Sequence, residues 1–208
     1  MTSLLFKDIT VLTEEGKTVP HAYVGVTGST ISHFPLTQPE GAFDRTIDGR
    51  GKLLMPALYN AHAHVPMTLL RGRGDNLPLD RWLNEAIFPF EAHITEDATY
   101  HATLLGIAEM LRFGVVSFTD MYFCTDARAR AVLDSGVKCN LSDCVVCSEP
   151  GMTYYDLPLA KENEQWIAQY HGAGDGRLLI DMSLHAEYTS TPEVVRTLAD
   201  ATKAAGLR

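Results

Sequence analysis

Strand-like and helix-like segments alternate along residues 53–208, and this alternation constrains the fold more than any other feature of the sequence. Helix starts are marked at Thr95, which precedes two acidic residues, and at Thr191, which precedes a proline. Gly114 and Gly206 are suitable helix ends. Such alternation predicts βαβ units and a parallel sheet, either an open doubly wound sheet or a (β/α)8 barrel. The predicted strands are 53–59, 115–119, 137–146 and 178–184, and the predicted helices are 79–90, 95–113, 125–134, 159–170 and 191–206.

The first 54 residues carry a different pattern, in which short β-prone segments are separated by turns. These segments are 4–6, 9–12, 22–26 and 30–34. We therefore predict a small β unit at 1–54 and strand–helix units at 55–208. A complete (β/α)8 barrel needs about 250 residues. The arithmetic predicts the first half of a TIM-type barrel, in a chain truncated between one helix and the next strand.

Composition and net charge limit the kinds of molecule that this chain is expected to bind. The 208 residues are 46% hydrophobic and 21% charged, which is typical of a globular protein. The net charge of −9 disfavours nucleic acid and anionic membranes, so a small-molecule partner is expected. We find neither an apolar run of the roughly 20 residues that a membrane span needs nor a signal peptide. The four cysteines are too few for a disulfide scaffold, so we expect a cytoplasmic protein with reduced thiols.

The segment His62-Ala63-His64 lies at the carboxyl end of the first predicted strand of the barrel region, just after its apolar run 53–59. Residues two apart on a strand point to the same face, so both imidazoles should project from one side. Barrel enzymes form their active sites at the carboxyl ends of the strands. Two neutral imidazoles at that end suit Zn²⁺ or a similar divalent ion. Spacing alone leaves open the alternative that both histidines are solvated in a loop.

Several longer runs carry a family resemblance. Residues 55–72, MPALYNAHAHVPMTLLRG, resemble the amidohydrolase superfamily. The runs similar to its 5-methylthioadenosine/S-adenosylhomocysteine deaminase branch, which is close to the chlorohydrolases, are 77–83, 88–91 and 119–123. Residues 183–189 are similar to the stretch that follows the fourth barrel strand of that branch. The resemblance spans nearly the whole chain and is most specific over 55–91.

The resemblance implies a (β/α)8 barrel with a small β-sandwich, of which residues 1–54 would be part. It also implies one divalent metal, with zinc favoured over iron, held by His62, His64 and further groups expected beyond Arg208. The catalytic residues that move protons are likewise expected beyond Arg208, so none is assigned within this chain. In the implied reaction, metal-bound hydroxide attacks the purine carbon that bears the amino group, and ammonia leaves.

Three substrate-binding residues follow from the same resemblance. Glu91 matches a carboxylate that contacts ribose hydroxyls, a task that suits a group able to accept two hydrogen bonds. His185 matches a histidine that faces the purine, and Trp82 would form a wall of the pocket. The alternatives are that Glu91 is solvated, that His185 merely ends a strand and that Trp82 belongs to the core.

Three other positions refine these expectations. Asp143 and Leu159 stand where branch members that use S-adenosylhomocysteine can carry arginines for the amino-acid carboxylate. Their presence favours a ligand without a carboxylate. Asp120, at the end of the second predicted barrel strand, is expected to hold its loop in place rather than to take part in catalysis.

The resulting functional prediction is a metal-dependent hydrolytic deaminase of adenosine-type nucleosides such as 5-methylthioadenosine. One alternative is an amidohydrolase of another heterocycle, such as guanine or a chlorotriazine, and a second is a non-catalytic fragment. We expect the 208-residue chain to be inactive alone. A half barrel exposes unpaired strand edges, so association, including a homo-oligomer, is also expected.

Overall fold

The computed structural model describes residues 2–34 and 36–207. The chain divides into two compact units, Met1–Ala57 and Leu58–Arg208. Each unit has its own sheet and its own hydrophobic core.

The N-terminal unit is a five-stranded sheet of order β3-β2-β1-β4, with β5 also paired to β1. Its strands are β1 (Ser3–Leu12), β2 (Thr18–Thr27), β3 (Thr30–His33), β4 (Arg45–Asp48) and β5 (Leu53–Leu54). β1 pairs antiparallel with β2 and parallel with β4 and β5. Ile9, Ala22 and Val24 form the buried core of this sheet.

Strand β1 corrects one prediction, because segments 4–6 and 9–12 form a single strand rather than two. Asp8 has a φ of 57° and lies at a register shift in the pairing with β2, where the strand bulges. The Asp8 carboxylate binds the His21 ring, with Oδ1 and Nδ1 2.7 Å apart. The residues described in this unit form one sheet, and the sandwich remains a prediction.

The C-terminal unit is built on a parallel four-stranded sheet of order β10-β8-β7-β6, as the alternating pattern predicts. A separate two-stranded sheet pairs β9 with β11, also in parallel. The strands are β6 (Leu58–Ala63), β7 (Val115–Met121), β8 (Lys138–Ser142), β9 (Cys144–Val145), β10 (Leu178–Ile180) and β11 (Ser183–Leu184). The unit is of the mixed α/β class.

The helices of this unit are α1 (Leu79–Arg81), α2 (Phe88–Glu91), α3 (Glu96–Arg112), α4 (Thr125–Ser135), α5 (Pro158–Tyr170), α6 (Ala173–Gly176) and α7 (Pro192–Ala204). Two predicted helix caps are confirmed. Thr95 Oγ1 accepts a hydrogen bond from the Ala98 N–H at 3.2 Å, and Thr191 Oγ1 accepts one from the Val194 N–H at 3.3 Å. Each cap satisfies one backbone donor that the first helical turn leaves unpaired.

The predicted strands 53–59, 137–146 and 178–184 are wrong in one respect, because each is divided between two strands. Asp143 lies at the break in 137–146. Its side chain accepts a hydrogen bond from the Cys144 N–H at 2.7 Å, and its backbone carbonyl accepts one from the Ser183 hydroxyl at 2.6 Å. Side-chain bonds of this kind replace the ladder bonds of a strand. The chain therefore leaves the four-stranded sheet and continues in the β9–β11 pair.

The predicted helix 79–90 also differs in detail. It runs from α1 through a π-helical turn at Trp82–Ile87 into α2. A π turn inserts one residue into the helical repeat and changes which side chains share a face. Trp82 begins this turn, and Glu91 ends α2.

The buried core of the C-terminal unit lies between the four-stranded sheet and its helices. Its largest apolar members are Phe118, Ile107, Leu141, Leu178 and Ile180. Within the described parts of the chain, none of the helices combines the length and the hydrophobicity that crossing a membrane requires.

Candidate functional site

The two histidines of the sequence motif lie side by side at the end of β6. Their Nε2 atoms are 3.2 Å apart, and their rings are nearly perpendicular at 85°. Two nitrogens bound to one tetrahedral zinc at the usual bond length would be about 3.3 Å apart. The spacing of His62 and His64 thus fits two ligands of one small divalent ion.

The orientation of His64 is set by the neighbouring strand. Its Nδ1 lies 2.7 Å from the Met121 carbonyl oxygen at the end of β7. A carbonyl oxygen only accepts, so Nδ1 carries the proton and Nε2 keeps its lone pair. This is the arrangement by which metal-binding histidines are held in one tautomer.

His62 has fewer supports than His64. Its backbone N–H donates to the Asn60 Oδ1 at 3.2 Å, and its ring is exposed. Across residues 2–34 and 36–207 the structure contains no group of three or more His, Cys, Asp or Glu side chains that could hold a metal ion. The residues in these ranges therefore provide a pair of nitrogen donors rather than a full ligand set, since catalytic zinc sites use three protein ligands.

Asp120 fixes the backbone immediately after His64. Its Oδ1 accepts a hydrogen bond from the Val65 N–H at 2.6 Å, and its Oδ2 accepts one from Arg128 Nη1 at 3.0 Å. The side chains of Asp120 and Arg128 are both fully buried. Asp120 therefore holds the segment that follows β6, whereas the expectation concerned the loop after its own strand, β7.

Arg128, on α4, extends this contact to other strand ends. Its Nε donates to the Phe123 carbonyl at 2.9 Å, and its Nη2 donates to the carbonyls of Tyr122 and, at 3.0 Å, Ser142. A buried guanidinium is tolerated only when its charge and its donors are matched in this way. Arg128 thus connects the ends of β7 and β8, and through Asp120 it also supports the backbone that follows His64.

A cavity of about 220 Å³ opens next to His64. Trp82, Glu91 and His185 also line it, although they come from the π turn, the end of α2 and the residue after β11. Most of the remaining lining is apolar, which is the usual composition of a small-molecule site. The structure brings four of the five predicted site residues to one cavity. The fifth, His62, contacts His64 and is not among the lining residues.

Glu91 has a specific partner in the cavity. The Tyr122 hydroxyl donates to Glu91 Oε1 at 2.6 Å. Burial raises the pKa of Tyr122, and the hydrogen bond to the Glu91 carboxylate raises it further. The phenol therefore stays protonated and keeps donating, which leaves Glu91 Oε2 as a free acceptor.

Trp82 and His185 are held by hydrogen bonds to two backbone carbonyls and one side-chain hydroxyl. Trp82 Nε1 donates to the Arg73 carbonyl at 3.3 Å, so its ring lines the cavity with its polar atom satisfied. The His185 N–H donates to the Val145 carbonyl at 3.0 Å, and its Nδ1 lies 3.2 Å from the Thr189 hydroxyl. The short β9–β11 pair thus presents the exposed His185 ring to the cavity.

Sequence reasoning missed two of these residues. Tyr122 lies in the run 119–123, and its position just after a strand end was the available signal. The sequence gives less indication of a role for Arg128, because a charged residue in a largely polar helix is expected to be exposed to solvent. Its neighbours Ala127, Ala129 and Ala131 are buried, and small residues at these positions allow α4 to pack closely.

Asp143, one of the two positions expected to disfavour a ligand with a carboxylate, is half-buried. Burial raises the pKa of Asp143, although hydrogen bonds from Cys144 and Thr125 and the Arg128 charge act against this rise. Asp143 carries no positive charge in either protonation state. Leu159, which also stands where some members of the branch can carry an arginine, does not line the cavity next to His64.

Comparison with known proteins identifies the family. The family described as "Amidohydrolase family" matches residues 53–208. A protein named 5'-deoxyadenosine deaminase from Methanothermobacter thermautotrophicus is 42% identical over 163 residues, covering 78% of this chain and 38% of that protein. A 5-methylthioadenosine/S-adenosylhomocysteine deaminase from Dictyoglomus thermophilum is 35% identical over 197 residues, covering 95% of this chain and 45% of that protein. The chain thus spans less than half the length of these two relatives.

Solved structures agree at the level of the fold. A zinc-bound adenosine deaminase from Xanthomonas campestris superposes with a TM-score of 0.85 at 26% identity, covering 99% of this chain and 48% of that one. A triazine hydrolase variant gives a TM-score of 0.87 at 18% identity, covering 100% of this chain and 52% of that one. Because the family matches three quarters of the sequence, this chain belongs to the amidohydrolase family.

Proposed function

We propose that the chain contributes the metal-binding pair and the nucleoside pocket of a hydrolytic deaminase that acts on adenosine-type nucleosides. The observation that carries the proposal is the single cavity in which His64, Glu91, His185 and Trp82 meet. The names of the relatives, which are deaminases of 5'-deoxyadenosine and 5-methylthioadenosine, support the same class of substrate.

His62 and His64 would hold the divalent ion through their Nε2 atoms. The zinc in the Xanthomonas campestris structure supports Zn²⁺ as that ion. When bound, such an ion lowers the pKa of a water molecule so that a nucleophile exists near neutral pH. The Met121 carbonyl and the Asp120–Val65 bond fix where His64 presents its lone pair.

The other residues of the cavity would bind and orient the nucleoside. Glu91, held by Tyr122 on one oxygen, would accept ribose hydroxyls on the other. His185 would donate to or accept from the purine edge, and Trp82 would exclude water beside the ring. We assign no proton-transfer step to a residue of this chain.

We also propose that the parallel sheet β6-β7-β8-β10 is the first half of a (β/α)8 barrel. Its strands are joined through helices and add to one edge in chain order, which supports a barrel rather than a doubly wound sheet. His62, Asp120 and Asp143 all stand at or just after carboxyl ends of strands. That is the edge at which barrels form their sites.

The proposal is tested by supplying the protein, as its gene encodes it, with Zn²⁺ and a panel of heterocyclic amines. We expect ammonia release from 5-methylthioadenosine and 5'-deoxyadenosine, and little from guanine or an aminated triazine. Ammonia release from guanine alone would instead support an amidohydrolase that acts on another heterocycle. If none of the compounds is bound or consumed, the deaminase proposal is wrong.

A Glu91→Gln variant tests the ribose contact. Glutamine retains an oxygen for the Tyr122 hydroxyl but replaces the free carboxylate oxygen with an amide donor, so a ribose hydroxyl loses its acceptor. A hydrogen bond to a charged group is worth about 1.5–3 kcal/mol, so KM for nucleosides should rise about 10- to 100-fold. KM for the free base should change little. Equal changes in KM for nucleosides and for the free base would contradict the ribose contact of Glu91. The control variant is Glu164→Gln, on the exposed face of α5.

A Tyr122→Phe variant tests whether Tyr122 positions Glu91. The substitution removes only the hydroxyl that donates to Glu91. We expect a rise of about 3- to 10-fold in KM for nucleosides with kcat nearly unchanged, because the loss affects binding before the chemical step. Combining it with Glu91→Gln should add less than the two single effects predict. Fully additive effects in steady-state kinetics would show that the two residues act independently.

A further inference from the structure

A glycine in the middle of α3 lies against the segment that follows His64. Gly106 is buried in the interior of this helix, where glycine is less favourable than alanine because it loses more conformational freedom on folding. The space that a side chain would need is already occupied. A Cβ atom on Gly106 would lie 2.5 Å from Val65 Cγ1 and 3.3 Å from Thr68 Cγ2. The absence of a side chain therefore allows this segment to pack directly on α3.

The segment is a 3₁₀ turn, Val65–Leu70, and it meets α3 at further points. The Thr68 hydroxyl donates to the Ala102 carbonyl at 2.9 Å. Just after the turn, the Arg71 guanidinium donates to both carboxylate oxygens of Glu109, at 3.1 and 2.7 Å. Positions separated by three or four residues share one face of a helix. We call this face the α3 seat, which comprises Ala102, Gly106 and Glu109.

Val65 has little freedom to move away from the seat. On its other side, its N–H donates to Asp120 Oδ1 at 2.6 Å. Its side chain belongs to the buried core and is only 7% exposed. A β-branched side chain is also restricted at χ1, so its methyl groups cannot simply rotate aside. A side chain at position 106 would therefore displace the Val65 backbone.

A displacement of Val65 would act directly on His64, its neighbour in the chain. The His64 ring keeps its Nδ1 2.7 Å from the Met121 carbonyl oxygen and its Nε2 3.2 Å from that of His62. His62 lies within β6, whereas His64 follows the strand and leads into the turn. Hydrogen bonds lengthened beyond about 3.2 Å are weak, so a shift of a few tenths of an ångström is enough to loosen the ring.

We propose that Gly106 is a positioning residue for His64: by lacking a side chain, it seats Val65 so that the His64 ring meets both the Met121 carbonyl and His62. The consequence for metal binding rests on the proposed function, whereas the position of the ring does not. Gly106 itself does not line the cavity next to His64.

A Gly106→Ala variant of the protein, as its gene encodes it, tests the seat without metal. In the zinc-free, ¹⁵N-histidine-labelled protein, the His64 Nδ1–H should give a slowly exchanging NMR signal that is missing from His64→Ala. We expect Gly106→Ala to accelerate its exchange with water about 10-fold, because the bond to Met121 weakens. Unchanged exchange would overturn the inference, since Val65 would then have adjusted without moving His64.

The Zn²⁺ affinity, measured by competition with a chelator, provides a second readout. We expect Gly106→Ala to lower it about 10-fold, as the loss of a group that orients a metal ligand does. The control is Ala108→Ser, which adds one heavy atom to an exposed position of α3. We expect it to change neither exchange nor affinity. Equal effects of the two substitutions would show that α3 responds as a whole and would contradict the role of Gly106.

A compensating substitution identifies the contact. Val65→Ala removes Cγ1, the atom nearest to the added Cβ. The double variant Gly106→Ala/Val65→Ala should therefore match Val65→Ala alone within about 3-fold in exchange rate and in Zn²⁺ affinity. Additive effects would overturn the inference. If Gly106→Ala does not fold, a folded double variant with a protected His64 proton supports the seat, and an unfolded one contradicts it.

The two readouts also separate this inference from the proposed function. If the wild-type protein does not bind Zn²⁺, the metal-dependent deaminase is contradicted, while the exchange measurement still decides the role of Gly106. If the wild-type protein binds Zn²⁺ and releases ammonia, but Gly106→Ala changes neither exchange nor affinity, the seat is wrong and the deaminase is supported.

Discussion

The His64→Ala variant is expected to weaken Zn²⁺ binding at least about 100-fold and to abolish the proposed deamination. Removing an outer-shell partner of a metal ligand already costs about 10- to 100-fold in affinity, and His64 would be a ligand itself. Its loss leaves His62 as a single exposed imidazole, with no second nitrogen 3.2 Å away. Zinc affinity is measured by competition with a chromophoric chelator, and activity by ammonia release.

The matched control for this variant is His101→Ala. His101 is exposed on α3, and its ring binds the Asp97 carbonyl of the same helix at 2.9 Å. We expect neither zinc affinity nor activity to change. A His64→Ala protein that keeps wild-type zinc affinity would rule out the assignment of His64 as a ligand, whatever its activity.

The position of His64 could be predicted because it depends on local rules. Strand residues two apart share a face, so His62 and His64 had to project together from the end of β6. The caps at Thr95 and Thr191 are equally local, since each side chain bonds to a backbone group three residues away. Contacts between residues only two or three positions apart can be predicted directly from the sequence.

The contacts that shape the cavity are of longer range. Tyr122 and Glu91 are separated by 31 residues and meet only when α2 folds against the end of β7. The breaks in the predicted strands 137–146 and 178–184 depend on a bond between Ser183 and Asp143, 40 residues apart. No periodicity in the sequence encodes such a pairing, so the sequence predicted continuous strands. The roles of Glu91, His185 and Trp82 remain predictions.

Arg128 is the clearest case of a residue whose environment cannot be predicted from the sequence. Its residue type predicts an exposed side chain, but the side chain is fully buried. Arginine is rarely fully buried unless it is paired, and only the fold provides the pairing with Asp120. Once this pair is known, its role follows. It holds the Val65 backbone through Asp120 and the strand-end carbonyls of Tyr122 and Ser142 through the guanidinium.

The Arg128→Met variant is expected to lose about 3–5 kcal/mol of unfolding free energy. Methionine retains part of the volume but leaves the buried Asp120 charge without its counter-ion and removes the guanidinium donors from the strand-end carbonyls, which is the costly way to break a buried ion pair. Urea unfolding followed by circular dichroism measures the loss. The control Arg130→Met removes an exposed arginine of the same helix that stacks on Tyr100 at 4.3 Å, and should cost less than about 1 kcal/mol.

A second substitution separates the ion pair from simple packing. In the Arg128→Met background, Asp120→Asn removes the unpaired charge, while the amide oxygen can still accept from the Val65 N–H. If the unpaired charge is the main cost, the double variant should regain about 1–2 kcal/mol over Arg128→Met alone. If Arg128 acts mainly by filling space, adding Asp120→Asn should lower stability further. The sign of this one difference therefore decides whether the loop that carries His64 is held by charge or by packing.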